Sequence, residues 1–221
     1  MKKIGVIFDC DGTLVDSVEG WRRAERDFAR QAGAELSPAD VEQLATFTLA
    51  ETGQFYHTKF GLGKSPADVV RMVDEILISY YETEVELLPG VYDFVTGLAQ
   101  AGVPLSLASS SPQRYLRPCL EKVGLAEYIP VVLSTDDVNA PKRVPVIYQR
   151  CAELMGTAVA DTWGFEDSIY AVRTLMHNGF KCVGCYNRDD SATLAQLQAE
   201  ATLAITSFEN FSAQDFLEQA L

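Results

Sequence analysis

The apolar run at residues 4–8, Ile-Gly-Val-Ile-Phe, restricts how this chain can fold more than any other feature. It ends at the polar segment Asp-Cys-Asp-Gly-Thr, residues 9–13, and reads as a strand buried on both faces of a parallel sheet. The following residues, from about 17 to 84, show helical spacing and no convincing strand. Because a lone strand cannot bury such a run, its partners must come from later in the chain.

Later segments can supply these partners. Strand candidates alternate with helical segments after residue 88, at residues 103–109, 131–134, 163–165, 181–186 and 202–205. This alternation predicts a parallel sheet with crossover helices. We therefore expect an α/β fold in which a Rossmann-like core, residues 1–15 and 86–221, carries an inserted all-helical cap domain, residues 16–85. The two crossings between core and cap are the natural hinges.

Asp9 and Asp11 stand one residue apart where the first strand ends. Residues i and i+2 of a strand point the same way, and open α/β sheets bind ligands at the carboxyl ends of their strands. Two carboxylates that face one site repel each other unless a positive charge lies near them, which indicates a divalent cation. The alternative for this segment alone is a tight Asp-Gly turn that leads into a helix cap.

The charge of the chain argues against two classes of partner. Its 221 residues include 18 Lys and Arg against 31 Asp and Glu, a formal net charge of −13, which repels nucleic acid and anionic membranes. An anionic substrate therefore needs local positive charge. We expect a cytoplasmic protein, because no apolar segment reaches the ~18 residues of a membrane span and no signal-peptide region precedes the first strand.

The five cysteines indicate no zinc site, and Cys182 and Cys185 are expected to be small buried residues. They show no disulfide-framework spacing. Cys182 and Cys185 match the redox pattern Cys-x-x-Cys, but they fall within a predicted strand, where residues three apart face opposite sides.

Residues 9–17, Asp-Cys-Asp-Gly-Thr-Leu-Val-Asp-Ser, resemble the first signature of the haloacid dehalogenase superfamily. The resemblance implies that Asp9 is a nucleophile that attacks phosphorus and that Asp11 is the general acid and base. The presence of Asp11 favours phosphoryl transfer over dehalogenation. Three further segments follow in the family's order, so the resemblance covers essentially the whole chain, and the layout is closest to the phosphoglycolate phosphatase and β-phosphoglucomutase groups.

The segment that corresponds to the second family signature is Ser109-Ser110-Ser111-Pro112, where a predicted strand gives way to a helix. Hydroxyls and free amides at such a junction suit phosphate oxygens, although a serine run before proline is more often only a helix cap. By resemblance Ser109 hydrogen-bonds the transferring phosphoryl group, and Ser110 is a second phosphate or substrate contact.

The third segment, Pro-Lys-Arg-Val-Pro-Val-Ile-Tyr at residues 141–148, matches the family pattern Gly-Lys-Pro-x-Pro-Asp-x-Tyr only at the Lys, the second Pro and the Tyr. The resemblance makes Lys142 the phosphate-facing cation, which would also offset carboxylate charge. Arg143 is the fallback, and an exposed lysine on a solvated loop is the plain alternative.

The fourth segment, Glu166-Asp167-Ser168, again closes a predicted strand with acids. Acids there can simply favour a helix N-terminus, but beside Asp9 and Asp11 they complete the oxygen-rich site that Mg²⁺ prefers. By resemblance the Mg²⁺ cofactor is held by Asp9, Asp167 and the backbone carbonyl of Asp11, with Glu166 in support.

Lys64 belongs to a segment, Gly-Leu-Gly-Lys-Ser, that ends like a nucleotide-binding P-loop. The P-loop interpretation fails because Thr58 occupies the position of the first glycine and no buried strand precedes the segment. In the related proteins this part of the cap helps to select the substrate, so Lys64 is a candidate substrate contact.

These expectations combine into a Mg²⁺-dependent phosphatase that hydrolyses a small phosphorylated metabolite through an aspartyl-phosphate, as a monomer or weak homodimer. A β-phosphoglucomutase-like sugar phosphomutase and a non-catalytic metabolite-binding module are the alternatives. The mutase group usually carries a histidine on the first cap helix, and Trp21 stands at that position here. An indole cannot accept a proton, which favours the phosphatase.

Overall fold

Six parallel strands form one sheet in the computed structural model, which describes residues 4–44, 49–187 and 192–220. The strands are β1 (Gly5–Phe8), β2 (Leu105–Ser109), β3 (Val131–Ser134), β4 (Thr162–Glu166), β5 (Lys181–Cys185) and β6 (Leu203–Ile205). Their order is β3-β2-β1-β4-β5-β6, so β1 lies between two strands from much later in the chain. The predicted α/β fold with a parallel sheet is confirmed.

The chain divides into two compact units. One, Val18–Glu84, is called the helical unit here, and the other, Met1–Ser17 with Val85–Leu221, is called the core unit. The described residues of the helical unit form α1 (Val18–Gln31), α2 (Pro38–Leu44), α3 (Leu49–Phe60) and α4 (Pro66–Thr83). The helices of the core unit are α5 (Val91–Gln100), α6 (Gln113–Lys122), α7 (Thr135–Val138), α8 (Val146–Met155), α9 (Ile169–His177), α10 (Leu194–Glu200) and α11 (Ala213–Ala220).

Helix α4 shows how the sequence builds the helical unit. Ser65 caps its N-terminus by accepting the backbone N–H of Asp68 at 3.2 Å, and Pro66 occupies the first turn, where its missing N–H costs nothing. The apolar spacing of α4 buries one face of the helix, made of Val69, Val73, Leu77, Tyr80 and Tyr81. Gly53 allows α3 to pack closely against α4, because a Cβ at this position would lie 2.4 Å from Val70 Cγ2.

The β1–β4 register aligns the polar residues that follow these strands. Phe8 pairs with Phe165, so Asp9 lies level with Glu166 at the carboxyl edge of the sheet. The rings of Phe8 and Phe165 pack 5.1 Å apart below this edge. The backbone N–H of Asp9 donates to the Phe165 carbonyl at 3.0 Å, which continues the ladder to the site. The sheet therefore gives the first and fourth motifs one fixed platform.

The start of β2 differs slightly from the sequence prediction. Strand β2 begins at Leu105, two residues later than expected, because Pro104 cannot donate to a ladder. The five cysteines are free and buried, and the burial of Cys182 and Cys185 agrees with the prediction. In the part of the chain that the structure describes, every helix is too short or too polar to cross a membrane.

Candidate active site

A tight turn at the end of β1 positions Asp9 and Asp11. The backbone N–H groups of Leu14 and Val15 both donate to the Cys10 carbonyl, at 2.9 and 3.0 Å. Gly12 adopts a φ of +76°, and a Cβ there would lie 2.5 Å from the side chains of Asp167 and Asn187. Only glycine fits this conformation and this space, so the Asp-Gly turn and the carboxylate site form one structure.

Lys142 links the third motif to the ends of β1 and β4. Its Nζ donates to Asp9 Oδ1 at 2.5 Å and to Glu166 Oε1 at 2.8 Å. Tyr148, on α8, donates its hydroxyl to the same Glu166 oxygen at 2.8 Å. The lysine side chain is only 2% exposed. Lys142 is therefore buried, unlike the exposed loop lysine of the alternative interpretation.

Burial dominates the electrostatics of this cluster. Burial raises the pKa of Asp9 and the pKa of Glu166, and the attraction of Lys142 only partly opposes the rise. Burial alone would lower the pKa of Lys142, but Asp9 and Glu166 reverse this effect and raise it. The lysine therefore stays charged, while the carboxylates are stabilised by any further cation.

The carboxylates of Asp9, Glu166 and Asp167 fit a hard cation. Each offers one oxygen, and these oxygens all lie within 4.8 Å of one another. Glu166 Oε2 is buried without a hydrogen-bond partner, so one lone-pair acceptor is already desolvated and unused. Oxygen ligands of this kind suit Mg²⁺. The participation of the Asp11 backbone carbonyl stays a prediction.

Asp167 and the turn after β1 share a partner that the sequence did not reveal. Asn187, two residues beyond β5, donates its Nδ2 to the Gly12 carbonyl and to Asp167 Oδ2, both at 2.9 Å. Ser168 donates to the other Asp167 oxygen at 3.0 Å. A polar residue after a predicted strand end was the available signal for Asn187.

The carboxylate of Asp11 is bound by two serines. Ser17 donates to Oδ1 and Ser111 to Oδ2, each at 2.6 Å. Ser111 belongs to the serine run of the second motif, but its sequence position alone did not connect it with Asp11. These bonds set Asp11 apart from the group of three acids that fits a cation.

The predicted phosphate contacts differ in exposure. Ser109 is buried at the end of β2, and its Oγ accepts the backbone N–H of Ser111 at 3.0 Å. Ser110 is exposed. Their roles toward phosphate stay predictions.

The two other candidate cations are exposed. Arg143 stacks its guanidinium 4.5 Å from the ring centre of Tyr170, and it is Lys142 that binds the carboxylates. Lys64 lies in the helical unit, where its backbone N–H donates to Asp68. A substrate contact by Lys64 stays a prediction.

Comparison with known proteins gives one family. Residues 6–185 match the family described as haloacid dehalogenase-like hydrolase. Phosphoglycolate phosphatase of Escherichia coli strain K12 is 32% identical over 219 residues, which covers 87% of this chain and 86% of that protein. Hexitol phosphatase B of the same strain is 30% identical over 168 residues, 75% of this chain and 76% of that protein.

Solved structures agree on the fold. A crystal structure from Thermotoga maritima that carries the provisional name beta-phosphoglucomutase has a TM-score of 0.83 and 24% identity, and it covers 100% of both chains. The motifs, the sheet and the curated relatives thus lead to the same result. The chain belongs to the haloacid dehalogenase-like hydrolases, and within them it is a phosphatase, a phosphoric monoester hydrolase similar to the phosphoglycolate phosphatases.

Proposed function

We propose that this phosphatase hydrolyses a small phosphorylated metabolite in a Mg²⁺-dependent reaction in which Asp9 attacks phosphorus. The buried bridge from Lys142 to Asp9 and Glu166 is the observation that supports this best. It places a permanent cation beside the candidate nucleophile. Uncatalysed hydrolysis of phosphate monoesters is extremely slow, with enzymatic accelerations of up to ~10²¹, so several effects must act together.

Asp9, Glu166 and Asp167 would hold the Mg²⁺ ion, together with the backbone carbonyl of Asp11. When bound, the ion would offset the negative charge of the carboxylates and of the phosphoryl group. Asn187 and Ser168 fix the orientation of Asp167 through its two oxygens.

The side chains divide the chemistry between them. The Asp9 carboxylate attacks phosphorus, the bond to the leaving alkoxide breaks, and an aspartyl-phosphate forms. Asp11 donates a proton to the alkoxide and then removes one from the water that hydrolyses the aspartyl-phosphate. Lys142 and Ser109 hold the phosphoryl oxygens, with Ser110 as a further contact, and the helical unit acts as a cap that excludes bulk water.

Phosphoglycolate is the first substrate to test, because it is the substrate in the name of a relative that aligns with most of this chain. Hexitol phosphates are the second class, by the same argument. In either class Lys64 would contact the part of the substrate that is not transferred.

The test is a phosphate-release assay on a panel of phosphorylated acids, sugars and sugar alcohols, with Mg²⁺ and again after exhaustive chelation. We expect phosphate release from at least one small phosphorylated acid or hexitol phosphate, and no release after chelation. Ca²⁺ should replace Mg²⁺ poorly, because its looser coordination misplaces the nucleophile. Full activity after chelation would contradict the mechanism.

Trp21 separates the phosphatase from the phosphomutase alternative. Its indole N–H donates to the Tyr81 hydroxyl at 2.8 Å within the helical unit. Because the indole has a single donor and no acceptor, it cannot relay a proton during cap closure. We therefore expect negligible conversion of β-glucose 1-phosphate to glucose 6-phosphate, even with a bisphosphate primer. Isomerisation faster than phosphate release would favour the mutase.

A further inference from the structure

Both carboxylate oxygens of Asp11 accept a serine hydroxyl at short distance. The 2.6 Å separations from Ser17 and Ser111 are typical of charge-assisted O–H···O⁻ bonds. Ser111 lies 100 residues from Asp11 in sequence, and only 8% of it is exposed. A buried, long-range contact of this kind restricts the carboxylate to one orientation.

Ser111 is itself held in place. Its backbone N–H donates to Ser109 Oγ at 3.0 Å. Pro112 follows with a φ of −60° at the start of α6, and a proline restricts the backbone of the residue before it. The backbone from which the Ser111 hydroxyl reaches Asp11 is therefore fixed by Ser109 on one side and by Pro112 on the other.

A hydroxyl suits a partner of a group that gains and loses a proton. It donates to a carboxylate and, after rotation, accepts from a carboxylic acid, so it keeps its place in both protonation states. A lysine or a backbone N–H can only donate. The chemistry of Ser111 thus matches the alternating acid and base roles assigned to Asp11.

We propose that Ser111 is a positioning residue that holds Asp11 in line for proton transfer to the leaving oxygen and couples this alignment to Ser109. The inference rests on the proposed function, because it presumes that Asp11 transfers the proton. It adds a member to the machinery that no family motif assigns to this task.

The experiment compares phenyl phosphate with p-nitrophenyl phosphate, whose acidic leaving group needs little protonation. The ratio kcat/KM is measured because it covers the step in which the leaving group departs. For Ser111→Ala we expect a loss on phenyl phosphate about tenfold larger than the loss on p-nitrophenyl phosphate, since a small misplacement of a catalytic group can cost up to ~10²-fold. Ser111→Thr keeps the hydroxyl and should retain most of the activity on both substrates.

Ser110→Ala is the matched control. Ser110 is adjacent to Ser111 and is a proposed phosphoryl contact. Because both substrates carry the same phosphoryl group, this change should alter kcat/KM for both by the same factor. In an Asp11→Asn background, Ser111→Ala should cost nothing more, because the residues act as one unit. If Ser111→Ala does not fold, Ser111→Cys keeps a weak donor of similar size and should show a smaller loss with the same leaving-group dependence.

The outcomes separate this inference from the proposed function. Equal losses on both substrates, or additive losses with Asp11→Asn, would overturn the role of Ser111. If Asp11→Asn itself showed no leaving-group dependence, the proton-transfer role of Asp11 would fail, and the inference would fail with it.

Discussion

Two lysine–aspartate pairs, one in each unit, have the same chemistry and opposite surroundings. Lys142 binds Asp9 in the core unit, and Lys59 binds Asp40 in the helical unit. The Lys142 side chain is 2% exposed, whereas that of Lys59 is 45% exposed. Burial raises the pKa of Asp9, while hydrogen bonds from Lys59 and from Ser37 lower the pKa of Asp40 to about 2.

The difference shows how the pair that we propose to be reactive differs from a structural one. Asp40 completes a capping box with Ser37 at the start of α2, so its oxygens are used and its charge stabilises the fold. Asp9 is buried among other carboxylates, so burial disfavours its charged form, and Lys142 only partly offsets this effect until a further cation binds. The family motifs mark only the Lys142–Asp9 pair.

The largest expected effect separates the two aspartates by activity. Asp9→Asn removes the attacking charge and one candidate cation ligand, so phosphate release should fall to background. Asp40→Asn makes the same chemical change in the other pair and should leave turnover close to wild type. If Asp9→Asn kept more than a few per cent of the activity, Asp9 would not be the nucleophile.

The second effect concerns stability. Lys142→Met leaves Asp9 and Glu166 buried without their cation, and breaking a buried pair in this way costs about 3–5 kcal/mol. Lys59→Met breaks a partly solvated pair and should change stability far less. Urea unfolding in the presence of a chelator measures both, and similar losses for the two variants would remove the distinction between the pairs.

The third effect tests how the core site is held. Asn187→Ala removes the bond to Asp167, and changes in such outer partners typically reduce metal affinity by ~10–100-fold. Calorimetric titration of Mg²⁺ should show this weakening. Asn178→Ala, which removes an amide from the end of α9, is the control and should leave the affinity within about twofold of wild type. An unchanged affinity in Asn187→Ala would mean that Asn187 supports only the turn.

The smallest effect is the pH dependence of the stability that Asp40 contributes in the helical unit. The pKa of Asp40 is lowered from 3.8 to about 2 in the folded protein, so its stabilising effect is complete above pH ~4 and is lost as the pH falls toward 2. Asp40→Asn should therefore unfold at a lower urea concentration than wild type at pH 6. This difference should shrink between pH 4 and pH 2, and a difference that stays constant would contradict the assigned cause.

The strand-end positions of the core site could be predicted because their signals are local. An apolar run followed by acids identified Asp9 and Glu166, and parallel pairing brings such ends together. The contacts of Ser111 and Asn187 could not be predicted in this way. Asn187 meets Gly12 across 175 residues of sequence, and such contacts depend on the register of several strands.

The helical unit gave less to predict. Its spacing identified α4 and the Ser65 cap, but not contacts between apolar or aromatic side chains, such as the rings of Phe28 and Tyr56 at 4.9 Å. Apolar packing carries no chemical signature in sequence. The choice of substrate therefore has to come from assays.

The stereochemical course at phosphorus tests the central claim most directly. A phosphorothioate monoester that carries two different oxygen isotopes on phosphorus would be hydrolysed in water labelled with the third isotope, and the configuration of the released thiophosphate determined. Attack by Asp9 followed by attack of water gives two in-line displacements, so we expect net retention of configuration. Inversion would mean that water attacks the substrate directly, and it would contradict the aspartyl-phosphate mechanism whatever the substrate is.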